Sequence, residues 1–157
     1  WLIEEGYPGR KVIVWAHNAH VMNAYYGSDW SSVHLEPRDD AMKPSGVFLA
    51  DWLGDDLYTI GMTAFAGEDG WANGAPASPI AVAASGTIEA RLHALGQPFA
   101  FLDLRALRGQ PSHPLRGPQS MRVPKYEVET LADISRPYDG IFFIDRMEGA
   151  IRLPQSA

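Results

Sequence analysis

The chain has 157 residues, 46% of them hydrophobic, enough for one sizeable core and so for one domain or part of one. Its 19 acidic against 13 basic residues leave a formal net charge of −6, with no basic stripe, which argues against nucleic acid or an anionic membrane as partner. Cysteine is absent, which excludes disulfide scaffolds, thiolate zinc sites and cysteine nucleophiles, and no apolar run approaches the ~20 residues of a membrane-spanning helix.

In chain order, Trp1 stands inside a helix-like phrase that runs into Gly6, so the expectation is a segment cut from a longer protein. After the turn residues Gly6 to Gly9, the β-branched and aromatic run Lys11 to Trp15 predicts a buried strand. Gly46 to Leu53, closed by Gly54, predicts a helix. Leu57 to Thr63 predicts a second strand. Gly67 to Pro79, around Trp71 and Asn73, reads as a loop. Thr87 to Leu95 carries a one-sided apolar stripe, is capped by Ser85 or Thr87 and stops at Gly96, which predicts a second helix.

Phe99 to Leu104 is a third strand, Gly109 to Pro124 a second loop, Glu129 to Ile134 a short helix, and Gly140 to Asp145 a strongly apolar fourth strand. Near-continuous apolar strands imply a sheet covered on both faces. The alternation of strands and helices predicts an α/β fold, a mostly parallel sheet flanked by helices, with no internal domain boundary.

The chemistry concentrates in Trp15-Ala16-His17-Asn18-Ala19-His20, directly after the first predicted strand. In an open α/β sheet ligands bind beyond the carboxyl ends of the strands. A helix starting near His17 places His17 and His20 on one face, with Asn18 free to cap the turn or hold an imidazole. Three readings stand open: a His-x-x-His metal site needing a third ligand from elsewhere, acid–base or oxyanion work by imidazole, and buried histidines satisfied by backbone. Two histidines and an asparagine within four residues favour a site. Asp103 and Asp145 each close an apolar strand with an arginine behind (Arg105, Arg146). Parallel strands would bring both to the edge that carries His17, to orient an imidazole or bind a polar substrate; the plainer alternative is local capping or pairing with the adjacent arginine.

Other templates fail: there is no Gly-x-Ser-x-Gly elbow, no phosphate-binding loop and no Gly-x-Gly-x-x-Gly. Glu36, Arg38, Asp39 and Asp40 read as a solvated loop and His34 as a surface histidine. Trp71 reads equally as a loop anchor or a cover over an apolar ligand.

The run Lys11 to Val21, KVIVWAHNAHV, closely resembles the Trp-x-His-Asn-x-His segment of the erythromycin esterase family. The likeness continues through Gly46 to Gly61, Gly67, the Ser/Thr-x-Glu phrase at Gly86 to Leu92, Leu102 to Arg105, and Tyr138 to Arg146. It implies an α/β hydrolase that opens an ester or lactone, as in macrolides, with a histidine-activated water and neither metal nor other cofactor. His17 and His20 match the two motif histidines and are the implied catalytic residues; Asn18, Asp103 and Asp145 are the candidate substrate-binding residues. The family's general-base histidine and glutamates lie in a Gly-Glu…His stretch of its N-terminal half, which has no counterpart here. The expectation is therefore an incomplete, C-terminal portion of a larger domain, whose partners are a small-molecule ester or lactone and the missing N-terminal half. Metal-dependent hydrolysis by the same pair and a non-catalytic ligand-binding relative remain the alternatives.

Overall fold

A computed structural model of the chain describes residues 2–24, 44–70, 76–122, 128–131 and 134–150. Among the described residues, three α-helices, α1 (Asn18–Val21), α2 (Ser45–Leu53) and α3 (Ile88–His93), accompany six strands. The strands are β1 (Ile60–Asp69), β2 (Ser78–Ile80), β3 (Phe99–Asp103), β4 (Gln119–Arg122), β5 (Val128–Leu131) and β6 (Gly140–Met147). Among the described residues, no helix is long and apolar enough to cross a membrane.

Four strands form one sheet in the order β2-β1-β6-β3, and β4 and β5 form an antiparallel pair. The α/β class holds, but the mostly parallel arrangement does not: only β1 and β6 are parallel, while β1–β2 and β3–β6 are antiparallel. Strand direction was not legible because an apolar run reads the same in both senses. β6 is central, in register with β1 from Ile60↔Gly140 to Gly67↔Met147 and with β3 from Phe99↔Ile144 to Asp103↔Gly140.

Alternation places Ile141 and Phe143 of β6 on the face that α3 covers, and both are fully buried. The core gathers Met22, Ile88, Leu104, Leu107, Met121, Ile134, Tyr138 and Ile141; burying each large apolar side chain contributes about 1.5–3 kcal/mol. The opposite face carries Phe101 and Phe99, 51% and 60% exposed, with Ile60 at 45%. Coverage on both faces is thus not what the described residues provide.

Three local expectations change. Lys11 to Trp15 forms no strand; it is irregular chain outside the sheet, with Ile13 87% and Trp15 81% exposed. Its β propensity is real, but a strand exists only where a neighbour takes its backbone hydrogen bonds, and no described residue does. Within the predicted helix at Glu129 to Ile134, residues 129–131 instead belong to β5, completed by pairing with β4, and 132–133 lie outside the described residues. Both predicted loops hold strands: Gly67 to Pro79 contains the end of β1 and part of β2, and Gly109 to Pro124 contains β4. Trp71, Asn73, His34, Glu36, Arg38, Asp39 and Asp40 lie outside the described residues.

The helices at Gly46 to Leu53 and Thr87 to Leu95 are present as α2 and α3. Thr87 is the N-cap of α3: its hydroxyl accepts from Ala90 N (3.2 Å) and donates to the Ala84 carbonyl (2.9 Å). Thr87→Ala is expected to cost about 1 kcal/mol, measured as a lower urea midpoint with unchanged m-value.

Candidate functional site

The histidine segment is built around a single turn of helix. His17 is the N-cap of α1, with extended backbone, and its Nδ1 accepts the Ala19 N–H at 3.2 Å. His20 sits in the same turn, and the two rings lie 6.0 Å apart between centroids, edge-on at 66°. Both side chains are exposed. The spacing of three thus brings the two imidazoles together as expected.

Asn18 acts in the other direction. Its Nδ2 donates to the Met62 carbonyl (2.6 Å) and its Oδ1 accepts the Met62 N–H (3.0 Å), so the side chain pairs with the β1 backbone as a neighbouring strand would. Ser45 Oγ donates to the His20 carbonyl (2.6 Å), and a Cβ on Gly46 would stand 2.0 Å from the Val21 carbonyl oxygen. Backbone of α1 and α2 therefore meets at Gly46, where no larger residue fits. The histidine turn is fastened to β1 by Asn18 and to α2 by Ser45, and its rings are left at the surface.

The two aspartates are not on a common edge with it. β3 and β6 are antiparallel, so Asp103 at the end of β3 lies opposite Gly140 at the start of β6, while Asp145 lies near the other end of the sheet. Asp103 accepts from Tyr58 Oη (2.9 Å) and from Ala106 N (3.2 Å). The Tyr58 hydrogen bond, followed by that of Ala106, holds its carboxyl below the usual range. Burial, then the Asp103 bond, pushes the Tyr58 phenol up to about 12, so it remains a donor. Asp145 Oδ1 pairs with His93 Nδ1, and the His93 ring stacks on Phe65 at 3.8 Å. Asp103 accepts the backbone N–H of Arg105, but the Arg105 guanidinium forms its ion pair with Asp139 instead.

Asp139 is the charged centre that sequence reading missed. It is 1% exposed, just ahead of β6. Its Oδ2 accepts Thr59 N (2.8 Å) and Asn23 Nδ2 (3.3 Å), and its Oδ1 accepts Arg105 Nε (3.2 Å) and Arg108 Nη2 (2.5 Å). Burial raises the carboxyl, but the Arg105 and Thr59 hydrogen bonds and the charges of Arg105 and Arg108 outweigh it, leaving it below the ordinary aspartate value. Arg105 also lies 4.7 Å over the Tyr58 ring. The only sequence signal was an aspartate directly before an apolar strand.

Among the described residues, no three His, Asp or Glu side chains gather as a metal-ligating group. A second buried carboxylate, Glu89, accepts from Thr63 Oγ1 (2.6 Å) and Arg122 N (2.9 Å) and ties α3 to β1 and β4.

The sequence matches the erythromycin esterase family model over residues 1–147. The chain belongs to the erythromycin esterase family. Among curated relatives, this family member is 25% identical over 160 residues to the Bacillus subtilis protein named "Putative hydrolase YbfO", covering 96% of this chain and 33% of that protein. Two solved structures share the fold: a Bacillus cereus protein (18% identity, TM-score 0.59) and a succinoglycan biosynthesis protein (20% identity, TM-score 0.60). Each likeness covers 85% of this esterase-family chain, against 33% and 32% of the other. The chain spans about a third of the length of the relatives it matches.

Proposed function

We propose that this chain contributes the oxyanion-stabilising part of a carboxylic ester hydrolase, with His17 as hydrogen-bond donor and His20 beside it. The observation that carries the reading is the Ala19 N–H aimed at His17 Nδ1. A neutral imidazole that accepts at Nδ1 carries its proton on Nε2, so the outer nitrogen is a donor. Such a group suits the negative charge that develops when water adds to an ester carbonyl. The same tautomer disfavours the metal reading, since a ligating Nε2 has to be unprotonated.

Family membership and the name of the Bacillus subtilis relative support hydrolysis as the reaction class. A lactone of the macrolide kind is the proposed substrate, with Asn18 holding the histidine turn in place. The water-activating base would come from the remainder of a longer polypeptide. The exposed Phe99 and Phe101, and the Lys11 to Trp15 run, which pairs with no described strand, support the proposal that such a segment packs here.

The test is ester and macrolide hydrolysis by the full-length polypeptide that carries this chain. His17→Ala is expected to lower kcat about 10²–10³-fold, as for loss of one oxyanion donor, with KM little changed. Activity should survive a strong chelator. Loss on chelation with recovery on adding zinc would move the assignment to a metal hydrolase, unchanged hydrolysis by His17→Ala would overturn the role of His17, and no hydrolysis by the parent would leave a binding relative.

A further inference from the structure

Away from the histidines, the structure has a cavity of about 390 Å³ lined by Ala24, Arg108, Arg116, Ser135 and Arg136. Of the five described residues that line it, three are arginines and none is acidic, in a chain whose formal net charge is −6. We propose that this cavity binds the oxyanion group, carboxylate or phosphate, of a small ligand.

Two of the guanidinium groups are held by neighbours. Arg108 Nη2 donates to Asp139, which is buried and shared with Arg105, so one carboxylate faces two guanidinium charges. Arg116 Nη1 donates to Ser135 Oγ, and both residues line the cavity. Such anchoring lowers the ordering cost a ligand would otherwise meet. Arg136 is exposed and is the third. A guanidinium is always charged and offers paired N–H donors that match the two oxygens of a carboxylate or phosphate.

The proposal stands apart from the esterase reading.

Isothermal titration with inorganic phosphate and, separately, with succinate at low salt tests it on the chain itself. The expected result is saturable binding of at least one anion, weakened about tenfold by Arg136→Ala. Arg136→Lys should lie between, since it keeps the charge without the fork, and exposed Arg10→Ala should bind as the parent does. Binding of phosphate alone or succinate alone would name the oxyanion. Saturable binding of neither, or equal weakening by Arg10→Ala and Arg136→Ala, would overturn the proposal, the latter by showing diffuse charge attraction only.

Discussion

Asp139→Ala is expected to destabilise the fold by about 3–5 kcal/mol, the range for removing one partner of a buried ion pair. The carboxylate holds four residues from three other pieces of chain: Asn23 after α1, Thr59 before β1, and Arg105 and Arg108 after β3. Without it, Arg105 loses its ion-pair partner beneath Tyr58, and the buried Thr59 N–H loses its acceptor. The acid limb of stability should change with it. The folded carboxyl titrates below the ordinary aspartate value, so its contribution is fully present above about pH 4 and disappears as pH falls through the folded value. In that interval the unfolded chain binds more protons, and this one group adds a slope of up to about 1.4 kcal/mol per pH unit. Urea unfolding from about pH 2 to 7 should therefore show a shallower acid limb for Asp139→Ala. Parallel limbs in variant and parent would contradict the network.

Gly67→Ala is the second large effect, again about 3–5 kcal/mol, and it acts through backbone alone. Gly67 has φ of +129°, a region that L side chains rarely adopt. A Cβ there would stand 2.0 Å from the Met147 carbonyl oxygen and 2.6 Å from its nitrogen. Both atoms are backbone of β6, so no side chain can swing away to relieve the contact. Gly67 is also where three strands converge, opposite Ile80 of β2 and Met147 of β6. The substitution should separate these strand ends, raising amide exchange at Ile80 and Met147 while the Asp139 end of the sheet keeps its protection. Uniform loss of protection would point to global unfolding as the only response.

Much of the fold was legible because it is local. The strands at Phe99 and Gly140 and the helices after Pro44 and Thr87 follow from apolar patterning, a threonine cap and terminal glycines, which act within a few residues. The pairing of His17 with His20 is equally local, since one helical turn decides it. The Asp139 cluster was not legible, because its partners are 31, 34, 80 and 116 residues away. Nothing near Asp139 distinguishes it from Asp103 or Asp145, which looked like better candidates.

The same division separates what sequence determined from what only the tertiary structure decided. Composition and motif order were enough for the α/β class and the family, and spacing was enough for the imidazole pair. Strand direction, the exposure of Lys11 to Trp15, the separation of Asp103 from Asp145 and the grouping of three arginines emerged only in three dimensions. Backbone hydrogen bonding is the physical reason for the first two: any extended run carries the donors and acceptors of a strand, and whether it becomes one, and in which sense, depends on a partner elsewhere in the chain. The separation of Asp103 from Asp145 has the same cause, since β3 runs antiparallel to β6, while long-range charge pairing places Arg108 beside Asp139. A carboxylate or guanidinium is placed by the groups that compensate it, and these are brought near only when the sheet has formed.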